Sequence, residues 1–293
     1  MTSVVSENIL VLDGGLSNQL VAGGHDLSDH LWSARLLRDE PAAIEAAHLA
    51  YFRAGADVAT TASYQASFEG FARSGLDRAR AEELLRRSVE LARSAADKSE
   101  VDRQLLVAAS VGPYGAVLAD GSEYRGRYGL SVAELAEFHR PRVRALAAAG
   151  PDLLALETIP DVDEARALLS VVGGLGVPVW LSFSARGAHT CAGQPLAEAF
   201  ALAREVDEVI AVGVNCCEPA DVDRAVPLAA EVSGKPVVVY PNSGERWDGS
   251  WRGSRTFDPA RVSAWLAAGA RLVGGCCRVG PEQIAEVARV VRG

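Results

Sequence analysis

The feature that most constrains this chain is a unit repeated along its whole length, a short apolar, β-branched run followed in most repeats by an alanine- and leucine-rich amphipathic stretch. The runs are ILVLDGG (9–15), ADVATTASY (56–64), LLVAASVGP (105–113), DLLALETIP (152–160), VPVWLSFSA (177–185), VIAVGVNCCEP (209–219), PVVVYPNSG (236–244) and RLVGGCCRVGP (271–281). Helical patterns such as PAAIEAAHLAYFRAG (41–55), SVAELAEFHRPRVRALAAAG (131–150) and DPARVSAWLAAGA (258–270) separate them. Three of these stretches end alike, in RAGAD (53–57), AAGPD (148–152) and AAGAR (267–271). Glycine tolerates the left-handed backbone that closes a helix, and an apolar strand follows each time. Strands alternating with helices imply a parallel sheet covered by helices. Eight units in 293 residues predict an α/β fold of the (β/α)8 TIM-barrel type. An open doubly wound sheet is the alternative, and it wants a G-x-G-x-x-G turn after its first strand. The nearest match, GGLGVP (173–178), precedes a strand and reads as a connecting turn.

No low-complexity linker interrupts the repeats, so residues 1–293 are expected to form a single domain, and a hydrophobic content of 49% supplies its core. The net charge of −9 disfavours nucleic acid or an anionic membrane as partner, because both reward clustered Lys and Arg. The segment MTSVVSENIL lacks the basic and apolar regions of an export signal, and no apolar run reaches membrane-spanning length. Five cysteines, an odd number, without an export signal predict free thiols in a reducing cytoplasm. The chemical uses of cysteine there are metal binding and catalysis.

The runs are bland until their C-terminal ends, where Asp13, Thr61, Glu157, Asn215, Cys216, Asn242 and Cys276 collect. In a barrel those ends share the rim that carries the active site. Cys216 and Cys217 close the sixth run and Cys276 and Cys277 the eighth. Two strand spacings put the pairs about 10 Å apart. Adjacent cysteines seldom bridge each other, since a disulfide wants more widely separated Cα atoms. The plain reading is small packed residues. The sharper one is a shared ion, held either by three thiolates with a fourth position open or by four in a closed structural site. Cys191, with His189 two positions earlier in GAHTCAGQP, reads as a loop residue, since spacing alone does not make a metal site.

The stretches GVNCCEP, VVYPNSGE and GGCCR resemble the zinc-dependent homocysteine S-methyltransferases, as do DGG near the N-terminus, VGPYGAVLADGSEYRGRYG (111–129) and LALETIPD (154–161). The resemblance runs from about residue 9 to 290. N-C after one strand with G-G-C-C after another is its specific part. It implies a Zn2+ ion held by Cys216, Cys276 and Cys277, with the sulfur of L-homocysteine in the open position. Cys217 falls outside that set and is expected to face the helix layer. The methyl donor implied is S-methylmethionine or S-adenosylmethionine. Folate-, cobalamin- and betaine-using members carry extra domains or a C-terminal extension, and this chain ends just past its last barrel helix. ERWDGSWRGSRTFD (245–258) departs from the family pattern and leaves donor choice open.

Such a reaction moves a methyl group from a sulfonium to a thiol. A free thiol is only a few per cent ionised at neutral pH, and full ionisation is worth about 2 kcal/mol. A metal-bound sulfur is a poorer nucleophile than a free thiolate, so in-line positioning must supply more, from the about 7–11 kcal/mol available to well-oriented reactants. Asp13 and Glu157 suit the substrate ammonium, with Gly14 leaving backbone room beside them. Asn215 is suited to orienting a ligand or binding the carboxylate, and Thr61 to hydrogen bonding. A sulfonium rewards aromatic faces, for which Trp32 and Tyr240 are candidates. The loop 114–129 has the length of a lid. Selenocysteine as acceptor, or a zinc- or thiol-sensing barrel without turnover, are the competing readings.

Overall fold

The structure, a computed structural model, describes residues 8–27, 31, 33–247 and 251–293. Eight parallel strands form its centre: β1 (Leu10–Val11), β2 (Val58–Thr60), β3 (Leu106–Val111), β4 (Leu153–Ile159), β5 (Val179–Arg186), β6 (Val209–Asn215), β7 (Val237–Tyr240) and β8 (Ala270–Val273). They pair in sequence order, and β8 returns to β1 through Leu10↔Leu272 and Val11↔Val273. A parallel bridge between Leu12 and Val58, with Asp13 N–H donating to Val58 O at 3.0 Å, closes the ring. The fold is a (β/α)8 TIM barrel.

Helices α1 (Pro41–Ala54), α2 (Arg78–Asp97), α3 (Val132–Ala148), α4 (Val162–Val172), α5 (Leu196–Ala201), α6 (Pro219–Ser233), α7 (Arg261–Ala267) and α8 (Pro281–Arg292) carry the crossovers. The three repeated glycines act as expected: Gly55, Gly150 and Gly269 have φ of 116°, 72° and 119°. Glycine is the residue that reaches this region without steric cost. Short extra helices, Leu16–Ala22, Ser33–Asp39, Phe68–Arg73 and Tyr114–Leu118, lengthen the first three βα connections. Arg246–Trp247 pairs antiparallel with Trp251–Arg252, where the sequence departs from the family pattern.

Strand alternation sorts the apolar residues into two cores. Val11, Val107, Ala109, Leu154, Leu156, Leu181, Val212 and Val239 face the helix layer. Leu10, Leu12, Val58, Leu106, Ala108, Ala155, Trp180, Val238 and Leu272 fill the barrel. Toward the C-terminal ends the inward positions turn polar: Ser110, Glu157, Ser182, Ser184 and Asn215 are all buried. The inner core therefore stops below the rim and leaves a polar floor. No helix among the described residues is long and apolar enough to cross a membrane.

Candidate functional site

A cavity of about 790 Å³, including its open mouth, lies over that floor. Asp13, Gly14, Thr61, Glu157, Cys216, Tyr240, Cys276 and Cys277 all line it, so most of the expected site residues meet there.

The sulfurs of Cys216, Cys276 and Cys277 lie within 4.8 Å of one another, the one such cluster of potential metal ligands among the described residues. The strand ends draw them in. Cys216 N–H donates to Tyr240 O and Cys276 N–H to Pro241 O, so both flanking strands fold toward the end of β7. The Cα atoms of Cys216 and Cys276 are consequently 5.6 Å apart, not the about 10 Å that two strand spacings predict. Cys216 itself has a left-handed backbone, φ 48°, which turns it off the strand. Asn242 completes the frame, its N–H on Cys217 O and its Oδ1 accepting Cys277 N–H.

Cys216 and Cys276 are joined here as a disulfide, whereas the sequence predicts free thiols. Cys277 Sγ stands 3.9 Å from Cys216 Sγ and 4.0 Å from Cys276 Sγ. Sulfurs on one tetrahedral ion with bonds of about 2.3 Å sit about 3.8 Å apart. Reduced, the three are thus placed to hold a soft divalent metal, which thiolates select. Burial pushes the Cys277 thiol up to about 11 against a hydrogen bond from the Tyr124 hydroxyl, so a thiolate there wants a cation beside it. Cys217 takes no part; it is buried in the sheet–helix core. Cys191 lies after the turn following β5, its N–H on Ser184 O.

Two carboxylates form the floor. Asp13 accepts from Thr60 N–H and the Thr60 hydroxyl, each at 2.8 Å. Glu157 accepts from the Ser110 hydroxyl and, at 3.0 Å, from the Tyr240 hydroxyl. Trp180 Nε1–H donates in turn to Tyr240 Oη at 3.0 Å. Burial raises both acids, Glu157 to about 7 and Asp13 to about 8, against the hydrogen bonds and, for Asp13, with help from the charge of Glu157. A pair held so near neutrality in a buried floor is suited to receiving a cation.

Four expected roles read differently in place. Asn215 is fully buried outside the cavity lining, because its amide is engaged elsewhere. Its Oδ1 accepts from Thr158 N–H and the Ser182 hydroxyl, and its Nδ2 donates to Thr158 Oγ1. It thereby holds Thr158 at φ 59°, next to Glu157. Thr61 accepts from Ser110 N–H and pairs with Ser63, while its neighbour Thr60 grips Asp13. Tyr240 is anchored through its hydroxyl. The room at Gly14 is taken by protein: a Cβ there would sit inside contact distance of Val279 O. Gly14→Ala should therefore cost about 1–3 kcal/mol, the scale of overpacking. Denaturant unfolding measures it, and an unchanged midpoint refutes the packing role. Trp32 lies outside the described residues.

Sequence reading did not single out Tyr64, Gln65, Glu123 and Tyr124, which also line the cavity. The last two belong to the 114–129 segment. That segment forms a short helix and the turn Ser122–Tyr124, which reaches the cavity, and is tied down where Arg127 N–H donates to Asp161 and Arg127 Nε to Ala192 O. Its motif, DGSEY, was the available signal, but nothing in it says that its acid is buried.

The family profile described as Homocysteine S-methyltransferase matches residues 10–291. The chain is 44% identical to the Bacillus subtilis homocysteine S-methyltransferase YbgG, over 97% of this chain and 95% of that protein. It is 42% identical to a Brassica oleracea selenocysteine Se-methyltransferase, over 94% of this chain and 86% of the relative. The crystal structure of the Escherichia coli homocysteine methyltransferase MmuM in its metallated form superposes with a TM-score of 0.88 at 44% identity, covering 98% of each chain. The oxidized form of the same enzyme superposes equally well.

Proposed function

The chain belongs to the homocysteine S-methyltransferase family and is a methyltransferase, and from that premise we propose how its site performs the transfer. The acceptor is L-homocysteine, giving methionine, and the donor is S-methylmethionine, with S-adenosylmethionine as the second candidate. Cys216, Cys276 and Cys277, once reduced, hold one Zn2+. The convergence of those three sulfurs above a carboxylate floor carries this reading. Zinc bound there would supply a Lewis acid that ionises a thiol at neutral pH.

The protein's own groups do the rest. Asp13 and Glu157 accept the homocysteine ammonium, each already fixed by Thr60, Ser110 and Tyr240, so little ordering remains to be done on binding. Asn215 positions Thr158 and hence Glu157. Glu123 and Tyr124 of the 114–129 segment form one wall of the cavity. Holding thiolate, methyl carbon and leaving sulfur in line is where most of the acceleration arises.

A requirement for reduced thiols favours a cytoplasmic location, and the unbroken run of eight strand–helix units favours residues 1–293 acting as one domain. Selenocysteine is a second acceptor to test by competition, given the identity to the Brassica enzyme. The decisive assay is methionine formation by reduced, zinc-loaded protein with each donor in turn. Chelation should abolish turnover while leaving the circular dichroism intact, because the sulfurs sit on the rim above a core already filled by side chains. Unfolding on chelation would make the ion structural, as in small zinc domains. Absence of turnover with both donors would remove the reading altogether.

A further inference from the structure

The cavity lining contains three carboxylates and no Lys, Arg or His among the described residues. Asp13 and Glu157 have hydrogen-bond donors on their oxygens. The third, Glu123, has only the hydrogen bond of its own backbone N–H: it is 5% exposed, and its Oε2 is buried with no partner among the described residues. Gln65, 4% exposed, repeats the pattern. Its Nε2 donates to Ala116 O at 3.0 Å, which fixes which way the amide points, and its Oε1 is left buried and unpartnered. Buried acceptors are ordinarily satisfied, and two orphans lining one cavity mark a missing hydrogen-bond donor. A buried unpaired carboxylate is costly, so that donor should be cationic.

We propose that Glu123 Oε2 and Gln65 Oε1 bind the α-ammonium of the methyl donor, an amino-acid sulfonium, in a subsite separate from the Asp13–Glu157 floor. The proposal rests on the reading of the reaction given above. Chemistry favours the donor's ammonium over its sulfonium, because a sulfonium has no N–H to offer two lone-pair acceptors. The sulfonium charge also disappears as the methyl leaves, so a carboxylate aimed at it would stabilise the ground state more than the transition state. An ammonium keeps its charge throughout, and the contact then governs binding. Both S-methylmethionine and S-adenosylmethionine carry this group.

The test uses the reduced, zinc-loaded full chain and its Glu123→Gln variant, with Glu123→Asp as a second variant that keeps the charge. Loss of one partner of a buried charged hydrogen bond should raise the KM for S-methylmethionine about 30-fold or more. The kcat at saturating donor, the KM for homocysteine and the zinc content should stay within about 3-fold, and Glu123→Asp should recover part of the loss. Calorimetric binding of trimethylsulfonium, which lacks the ammonium, should be the same in wild type and Glu123→Gln. An unchanged donor KM, or an equal rise in the homocysteine KM, overturns the subsite. So does a loss of trimethylsulfonium binding in the variant. Calorimetry with S-methylmethionine needs no turnover, so failure of the subsite and failure of the reaction assignment remain distinguishable.

Discussion

Zinc content drops from about one ion per chain to none in Cys276→Ala, in Cys277→Ala and in Cys216→Ala, and methyl transfer goes with it; Cys217→Ala keeps both. That is the expected outcome, because only three of the four paired cysteines bring their sulfurs together, within 4.8 Å. Cys217 packs instead among the apolar residues between strands and helices. Even the loss of a group that merely orients a zinc ligand costs about 10–100-fold in affinity or activity. Loss of a ligand should therefore reduce turnover below about one hundredth of wild type. Cys217→Ala should cost only about 1 kcal/mol of stability, the common size of a small truncation. Metal analysis and turnover on the four single variants check this. Equal loss in Cys217→Ala would mean a closed four-thiolate site with no position for a substrate sulfur.

Glu157→Gln should raise the KM for homocysteine on the order of 30-fold to several thousand-fold, from the about 2–5 kcal/mol that truncating a buried charged pair costs. Zinc content should not change, since Glu157 ligates nothing. Glutamine also loses a charge that Ser110 and Tyr240 are placed to serve. The pH dependence has two signs. Burial raises Glu157 to about 7 and Asp13 to about 8, so the stability these acids contribute is full below about pH 4 and is lost as pH rises through those values. The ligand-free protein should therefore melt lower at pH 9 than at pH 6. Binding of an ammonium needs the ionised acids, so affinity for L-methionine, which brings no ionisable thiol, should rise over the same interval. Both slopes should flatten in Glu157→Gln. A melting temperature indifferent to pH in wild type would rule out burial as the controlling effect.

The stretch 209–219 shows how far the sequence reaches and where it stops. The alternation in VIAVGVN predicts a strand, and the two cysteines that follow predict chemistry at its end. The sequence does not say that Cys216 leaves the strand with φ 48° and meets Cys276 across β7. That depends on Tyr240 O and Pro241 O accepting from both, which are contacts 24 and 35 residues away in the chain. Asn215 is a similar case. Its place before a cysteine suggested a ligand-facing role, but Thr158 and Ser182 engage its amide.

What the sequence determined by itself is the periodic part: eight strands, their helices, the glycine helix ends, and therefore the barrel and its active rim. Apolar periodicity and backbone sterics are local properties, readable within one segment. The three cysteines whose sulfurs converge were legible too, through a resemblance carried by short motifs. Tertiary structure alone decided the partners of each polar group. Thr60 rather than Thr61 holds Asp13, Tyr240 is anchored between Trp180 and Glu157, and Glu123 and Gln65 are left buried with lone pairs unanswered. Whether a carboxylate is solvated, paired or orphaned depends on which atoms other segments bring within about 3 Å of it. A single segment read alone carries no information about that distance.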